Sequence, residues 1–277
     1  KYYQSERDYN DTNKVRSDVL LYLGCNSFHR SEYKQAKQYF ELSANYNNSD
    51  ALLMIGFMYY FGFGVDIDYH QAKQYFELSA NFDNSDALLM LGNLYYNGYG
   101  VEKDYSKAKE YYEFSIQLDN YDAMLRLGNL YYFGNGVKKR HNIAEKYYNL
   151  LLAHHNNSYA NLMLGNIYYL GYGVERNFYR AISYYKDPIQ NNSISLLIIG
   201  YIYFFGIGVK EDHIKAEEFF TLSSKQNNSY AFLMLGNLYF KKKIYKKAKG
   251  YYDSAAKLNN PYAIYMIGYL YYNGYGV

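Results

Sequence analysis

The sequence predicts an all-α protein built from stacked helix-turn-helix repeats, that is, an α solenoid. One motif recurs about every 36 residues: an alanine, then Leu-Gly or Ile-Gly, a tyrosine, and Gly-x-Gly-Val. Early copies run from Ala51 to Val65 and from Ala87 to Val101. A fixed period of this length indicates supersecondary units that each contact only their neighbours. The composition, 49% hydrophobic and 20% charged, is typical of a folded chain.

The first helix of each repeat, helix A, is predicted from a nearly continuous apolar segment of about a dozen residues, such as 50–61. Ser49 and Asp50 are the predicted capping pair at its start. Gly56 lies inside the helix, where glycine costs about 1 kcal/mol relative to alanine. A glycine at this place in every copy therefore indicates close helix packing. Gly62 is expected to end the helix in the left-handed conformation.

The second helix, helix B, is predicted to begin after an aspartate or asparagine cap and to bury an aromatic pair such as Tyr75-Phe76. A small residue such as Ala72 lets the two helices approach closely. Pro188 is expected to stop helix B of the fifth repeat near Asp187, whereas Pro261 suits a helix first turn. The predicted caps are Asp68, Asp104, Asn177 and Asp212.

Two hairpins lack the Gly-x-Gly-Val segment. Gly24 and Ala36 are 12 residues apart, as are Gly236 and Ala248, whereas Gly92 and Ala108 are 16 apart. The four missing residues fall between the two helices, so the glycine loop is an accessory to the hairpin. A phosphate-binding role for Gly-x-Gly is disfavoured because these loops follow helices rather than strands.

The composition argues against several classes of function. A net charge of +3 gives no strong electrostatic case for a polyanionic partner. Cys25 is the only cysteine, which excludes an intrachain disulfide framework and a cysteine-rich metal site. His70, His141 and His213 fall in different layers, so no metal site, cofactor site or catalytic cluster is predicted. No apolar run is long enough for a membrane segment.

We divide the chain into a repeat array at 18–277 and a segment at 1–17 that is a partial preceding repeat or a linker. The last repeat is expected to be truncated, because Val277 falls within the motif and no second helix follows it. The chain is therefore interpreted as an excerpt of a longer protein.

The motif Ala…Leu-Gly…Tyr…Gly-x-Gly-Val, followed by Lys-Ala, Tyr-Tyr and Ser-Ala in helix B, resembles the Sel-one-like repeat family, a relative of the tetratricopeptide repeats. The resemblance covers about residues 18–277. It implies a right-handed superhelix of about seven to eight repeats, with the A helices lining a concave surface. It also implies an adaptor or scaffold role in macromolecular complexes. Some relatives carry a disulfide in each repeat and have been linked with β-lactam binding, which Cys25 alone cannot reproduce.

Three rows of helix A vary between repeats, at three, six and ten residues after the alanine. We call them row three, row six and row ten, and together the variable stripe, because these offsets share one helix face. Packing would hold a core row nearly constant, so the stripe is predicted to face an open groove. The candidate partner-binding residues are Phe57, Asn93, Asn129, Asn166, Tyr201, Asn237 and Tyr269 in row six, and Met90, Arg126 and Met163 in row three.

The hypothesis for binding is that Asn93, Asn129 and Asn166 contact successive parts of a peptide backbone through their amides. An acidic C-terminal ligand is not favoured, because the lysine of tetratricopeptide carboxylate clamps is replaced by leucines such as Leu89 and Leu125. The alternative is that these asparagines belong to an ordinary solvated face.

The function predicted from the sequence is a non-enzymatic protein-protein interaction scaffold that binds a protein or peptide along the A helices. The alternatives are single-stranded RNA binding by helical repeats and a regulatory module of a larger enzyme or membrane complex. Nucleic acid is disfavoured because RNA reading calls for a strongly basic groove. The lysine run from Lys241 to Lys249 is expected to be a solvated surface.

Overall fold

The structure is a computed structural model that describes residues 2–186 and 192–276. Within these ranges the chain forms fifteen α-helices and no strand. The chain divides into two compact units, residues 1–147 and 148–277, and the division falls within one helix. The all-α prediction is confirmed.

The first unit contains seven complete helices, each packed against the next in chain order. They form three hairpins, α1/α2, α3/α4 and α5/α6, followed by α7. The helices are α1 (Tyr2–His29), α2 (Tyr33–Ala44), α3 (Ser49–Phe61), α4 (Tyr69–Ala80), α5 (Ser85–Asn97), α6 (Tyr105–Gln117) and α7 (Tyr121–Phe133). The division between the units falls within α8 (His141–His154).

The second unit repeats the same order, with each helix from α9 to α15 packed against the next. Its hairpins are α9/α10, α11/α12 and α13/α14, followed by α15. The helices are α9 (Ser158–Leu170), α10 (Phe178–Tyr185), α11 (Ser193–Phe205), α12 (His213–Ser224), α13 (Ser229–Lys241), α14 (Tyr245–Lys257) and α15 (Pro261–Tyr272).

An asparagine begins each A helix from α3 onward. The Asn48 side chain accepts a hydrogen bond from the Ala51 amide at 3.0 Å, so the cap is Asn48 and not the predicted Ser49-Asp50 pair. The equivalent Asn84 caps α5 and also donates to Asp50 in the preceding A helix at 2.9 Å. One side chain thus starts its own helix and links it to the previous layer. The caps are Asn48, Asn84, Asn120, Asn157, Asn192, Asn228 and Asn260.

The turns between helices A and B follow the sequence predictions. Gly62 ends α3 in the left-handed conformation, with φ of 76°, and its amide donates to the Met58 carbonyl. In the two short hairpins the turn contains a non-glycine residue with positive φ instead, Ser31 or Lys243. The predicted helix B caps are confirmed at Asp68, Asp104, Asn177 and Asp212.

The core of each hairpin is built around the glycine in the middle of helix A. A Cβ added at Gly56 would lie 2.5 Å from the ring of Phe76, closer than real Cβ atoms come to other atoms. Helix B therefore packs its ring directly on the backbone of helix A, and the ring is fully buried. The predicted close packing is confirmed in these pairs: Gly24–Phe40, Gly56–Phe76, Gly92–Tyr112, Gly165–Tyr185, Gly200–Phe220 and Gly236–Tyr252.

Three further predictions concern where helices begin and end. The first helix runs from Tyr2 to His29 without a break at residue 17, and the assignment of 1–17 to a partial repeat or linker stays a prediction. Pro261 lies in the first turn of α15, as predicted. Helix α10 ends at Tyr185, and the expected stop at Asp187 and Pro188 lies outside the described residues.

Replacing Gly56 by alanine tests the ring-on-glycine contact. The added methyl group must displace the Phe76 ring, so we expect the free energy of unfolding to fall by about 1–3 kcal/mol despite alanine's better helix propensity. Gly268 is the matched control, because a Cβ there meets no atom within 4 Å. Urea denaturation of G56A and G268A checks this, and equal effects of the two substitutions would contradict it.

Candidate functional site

The variable stripe is not uniformly open. In row three, Met90, Met163 and Met234 are buried, whereas Arg126 is exposed. The described side chains of row six are half-buried, apart from the exposed Tyr269 at the end of the array. Row ten is exposed throughout. The stripe therefore passes from core to solvent across the width of each A helix.

The prediction that row three faces an open groove is wrong for Met90 and Met163. Met90 packs in one apolar cluster with Leu53 of the preceding A helix and with Phe76. The interlayer contact thus requires an apolar residue here, and Met is flexible enough to fill it. Both methionines lie in the core.

Row six pairs with the buried ring of helix B. The Tyr112 hydroxyl donates to Asn93 Oδ1 at 2.9 Å, and the same bond joins Tyr185 to Asn166 at 2.8 Å. Like the Tyr185–Asn166 pair, Tyr252 and Asn237 lie in the second unit, and the Tyr252 hydroxyl donates to Asn237 Oδ1 at 2.9 Å. Each asparagine thus satisfies the one polar atom of a ring that is otherwise buried.

In the α3/α4 and α11/α12 hairpins, where helix B carries phenylalanine, row six carries an aromatic residue instead. Phe57 and Phe76 meet edge to face with ring centroids 5.7 Å apart, and Tyr201 and Phe220 do so at 5.8 Å. Row six varies, therefore, because its partner varies with it. Variation in row six therefore does not by itself indicate an open face, since a compensated pair can vary inside a packed layer.

Row ten presents large apolar groups to solvent beside these pairs. Phe61 and Phe133 are exposed in the first unit, and Leu170 and Phe205 are exposed in the second. The ring centroids of Phe61 and Phe57 are 6.1 Å apart, and Phe205 stacks on Tyr201 with ring centroids 6.0 Å apart. In both units, row six and row ten therefore form one surface of aromatic and amide groups.

A small cleft opens on this surface in the first unit, with a volume of about 160 Å³. Two predicted row-six residues, Asn93 and Asn129, line it together with the row-three residue Arg126. The other lining residues are Tyr60, Tyr96, Asn97 and Tyr112. Sequence reasoning missed the tyrosines, because an aromatic residue, Tyr or Phe, stands at these places in every repeat and was assigned to the core.

The electrostatics of the cleft are set by one cation and several neutral hydroxyls. Burial raises the pKa of Tyr60 and of Tyr112, and the nearby charge of Arg126 opposes that rise in both cases. Both phenols are therefore protonated at neutral pH. None of the residues that line the cleft is acidic.

Other candidate groups do not assemble into a chemical site. Burial raises the pKa of the Cys25 thiol, which disfavours a thiolate. In the lysine run, three of the six lysines, Lys241, Lys242 and Lys249, each pair with a carboxylate, so the positive charge of this surface is partly neutralised. Among the described residues, no three His, Cys, Asp or Glu side chains cluster as metal ligands, and no helix is long and apolar enough to cross a bilayer.

Comparison with protein families agrees with this architecture. The model of the Sel1 repeat matches residues 49–81, 85–120, 122–152, 158–186, 193–228, 233–260 and 261–277. The chain belongs to the Sel1 repeat family. Sel1 repeats generally mediate protein-protein interactions, and Sel1 arrays are generally non-enzymatic scaffolds. The α1/α2 hairpin precedes the matched region yet has the same contact, Gly24 against Phe40. A search of curated proteins gave no match.

Solved structures share the α-solenoid fold. The chain is 26% identical to c5321, a protective antigen of uropathogenic Escherichia coli with an SLR fold, at a TM-score of 0.85; the match covers 96% of this chain and 59% of that one. It is 29% identical to a Sel1 repeat protein of Oxalobacter formigenes, with a TM-score of 0.70 and coverage of 85% and 98%. Pseudomonas aeruginosa PilF, at 17% identity, a TM-score of 0.60 and coverage of 78% and 93%, shares the fold alone.

A double-mutant cycle tests the pairing of Asn93 with Tyr112. Tyr112→Phe leaves the Asn93 oxygen without its donor, and Asn93→Phe leaves the hydroxyl without its acceptor, so each should cost about 1 kcal/mol. The double variant recreates the Phe57–Phe76 combination of the preceding hairpin. We expect it to recover about 1 kcal/mol relative to the sum of the single variants, measured by urea denaturation. Strictly additive effects would show that the two positions are independent.

Proposed function

We propose that this chain is a non-enzymatic scaffold and that rows six and ten of the variable stripe, together with Arg126, bind an extended segment of a partner protein. The observation that carries the proposal is the exposure of large apolar side chains in row ten directly beside the half-buried amides of row six. An extended peptide can match both rows, because its apolar side chains can contact row ten while its backbone donors and acceptors bind the amides of row six.

The fixed orientation of the asparagines supports this proposal. The Tyr112 hydroxyl holds Asn93 in one position before any ligand arrives, and Tyr185 does the same for Asn166. A pre-ordered side chain loses little conformational entropy on binding. The asparagines are thus both structural partners of helix B and prearranged polar groups at the surface.

The charge distribution favours a protein ligand over RNA. Non-specific affinity for nucleic acid comes from many cations placed along a phosphate backbone. The cleft of the first unit has Arg126 as its one charged lining residue. In the second unit, three of the six lysines of the run pair with Glu211, Glu217 and Asp253.

Paired surface substitutions test the proposal. Phe61→Ser with Phe133→Ser removes the two aromatic side chains of row ten from the first unit, where they are 52% and 47% exposed. Leu78→Ser with Phe114→Ser is the matched control on the B helices, at 48% and 54% exposure. The probes are peptides selected by the wild-type protein from a random dodecamer display library. We expect the first variant to weaken their binding at least about tenfold in fluorescence anisotropy.

The control should change affinity by less than about twofold, because both variants remove similar apolar area but only one removes it from the stripe. The proposal fails if the wild-type protein selects no peptide. It also fails if the control weakens binding as much as the row-ten variant does.

A further inference from the structure

We infer that the cleft around Arg126 is a subsite for a carboxylate, and that it takes an aspartate or glutamate side chain of the bound segment. The inference rests on the proposed function, since the acidic residue belongs to the peptide that occupies the stripe. It assigns a ligand chemistry to one place on that surface.

Arg126 differs from every other residue in its row. The equivalent positions carry methionine or isoleucine: Met54, Met90, Met163, Ile198, Met234 and Met266. Arginine therefore replaces a packing residue at one layer, and its side chain is exposed at the cleft rather than buried. The repeat architecture is maintained without a cation at this row, so the charge serves a local purpose.

Among the residues that the structure describes, the Arg126 guanidinium has no acidic partner. Across residues 12–186 and 192–276, no carboxylate lies within ion-pair distance of Arg126, whereas Lys37, Lys73 and Lys109 on the B helices α2, α4 and α6 each pair with a glutamate. A guanidinium presents two parallel N–H donors that match the two oxygens of a carboxylate. Arg126 is thus free to make this pair with a ligand.

The groups around Arg126 add further donors. Because Asn93 Oδ1 accepts from Tyr112, its Nδ2 is the amide atom left to donate, and among the described residues its one acceptor is the Met90 sulfur at 3.6 Å. The Tyr96 hydroxyl accepts from Asn135 at 2.7 Å, which leaves its own proton available for donation. The cleft is therefore rich in donors, as an anion requires.

Charge and size favour a carboxylate over larger anions. Phosphate carries close to two negative charges and is usually met by several cations, whereas this cleft supplies one. A volume of about 160 Å³ is below the usual range of small-molecule and cofactor pockets. It suits one short side chain. Leu89 and Leu125 stand where tetratricopeptide carboxylate clamps have lysine. They do not exclude this ligand, because Arg126 in row three supplies the positive charge instead.

The test is a parallel selection with wild type, R126M and R140M. Methionine is the residue that the neighbouring layers carry at row three, so R126M is expected to fold, which circular dichroism checks. R140M removes the same charge from an exposed position outside the cleft of the same unit. The probe is a nonapeptide display library whose C-termini are fused to the carrier, so that any carboxylate selected is a side chain.

We expect wild type and R140M to select peptides with Asp or Glu at one fixed position. In synthetic, end-blocked copies, changing that residue to Asn or Gln should weaken binding about tenfold. R126M should bind the acidic and the amide peptide alike. Selection without an acidic position, or an acidic preference that persists in R126M, overturns the subsite and leaves the proposed function standing.

Two other outcomes overturn the inference for different reasons. If none of the three proteins selects a peptide, the proposed function fails and the subsite fails with it. If an acidic side chain has no effect but a free C-terminal carboxylate on the synthetic peptide strengthens binding to wild type and not to R126M, Arg126 recognises a chain terminus and the side-chain assignment is wrong.

Discussion

The contact between the glycine of helix A and the ring of helix B is the constraint on which the hairpin depends. The ring of Phe76 lies where a Cβ of residue 56 would be, so the two helices are closer than any other residue at that position would allow. Phe and Tyr rings approach the glycine equally closely, since a Cβ added at Gly92 would lie 2.4 Å from the ring of Tyr112. The choice between the two rings then determines which residue can follow the glycine.

That next residue is row six, which connects packing to the surface. A buried tyrosine needs an acceptor for its hydroxyl, and Asn93 supplies it; a buried phenylalanine needs an apolar neighbour, and Phe57 supplies that. The array can therefore change the chemistry of its surface from one layer to the next without changing its backbone. Diversity in row six is obtained by exchanging pairs of residues rather than single residues.

Much of the fold follows from the sequence because the motif repeats. The period, the helix glycine, the left-handed Gly62 and the aspartate caps could each be read from one repeat and checked against the others. The interlayer asparagine could not: Asn84 caps α5 and also donates to Asp50, and only the stacking of two layers reveals the second bond. The row-six pairing was visible in the sequence as a correlation between Asn93 and Tyr112, but it needed helix B to be compared with helix A. The cleft at Arg126 depends on side chains from three A helices, which sequence periodicity cannot bring together.

A binding surface of this kind places function on residues that packing has already ordered. Chemical-shift mapping of a selected peptide on the isotopically labelled protein tests this account most directly, because it locates the ligand without altering any side chain. The account predicts saturable shifts centred on Asn93, Asn97 and Arg126, with Leu78 and Phe114 on the B helices unchanged. Shifts confined to the B helices or to the glycine loops would contradict it.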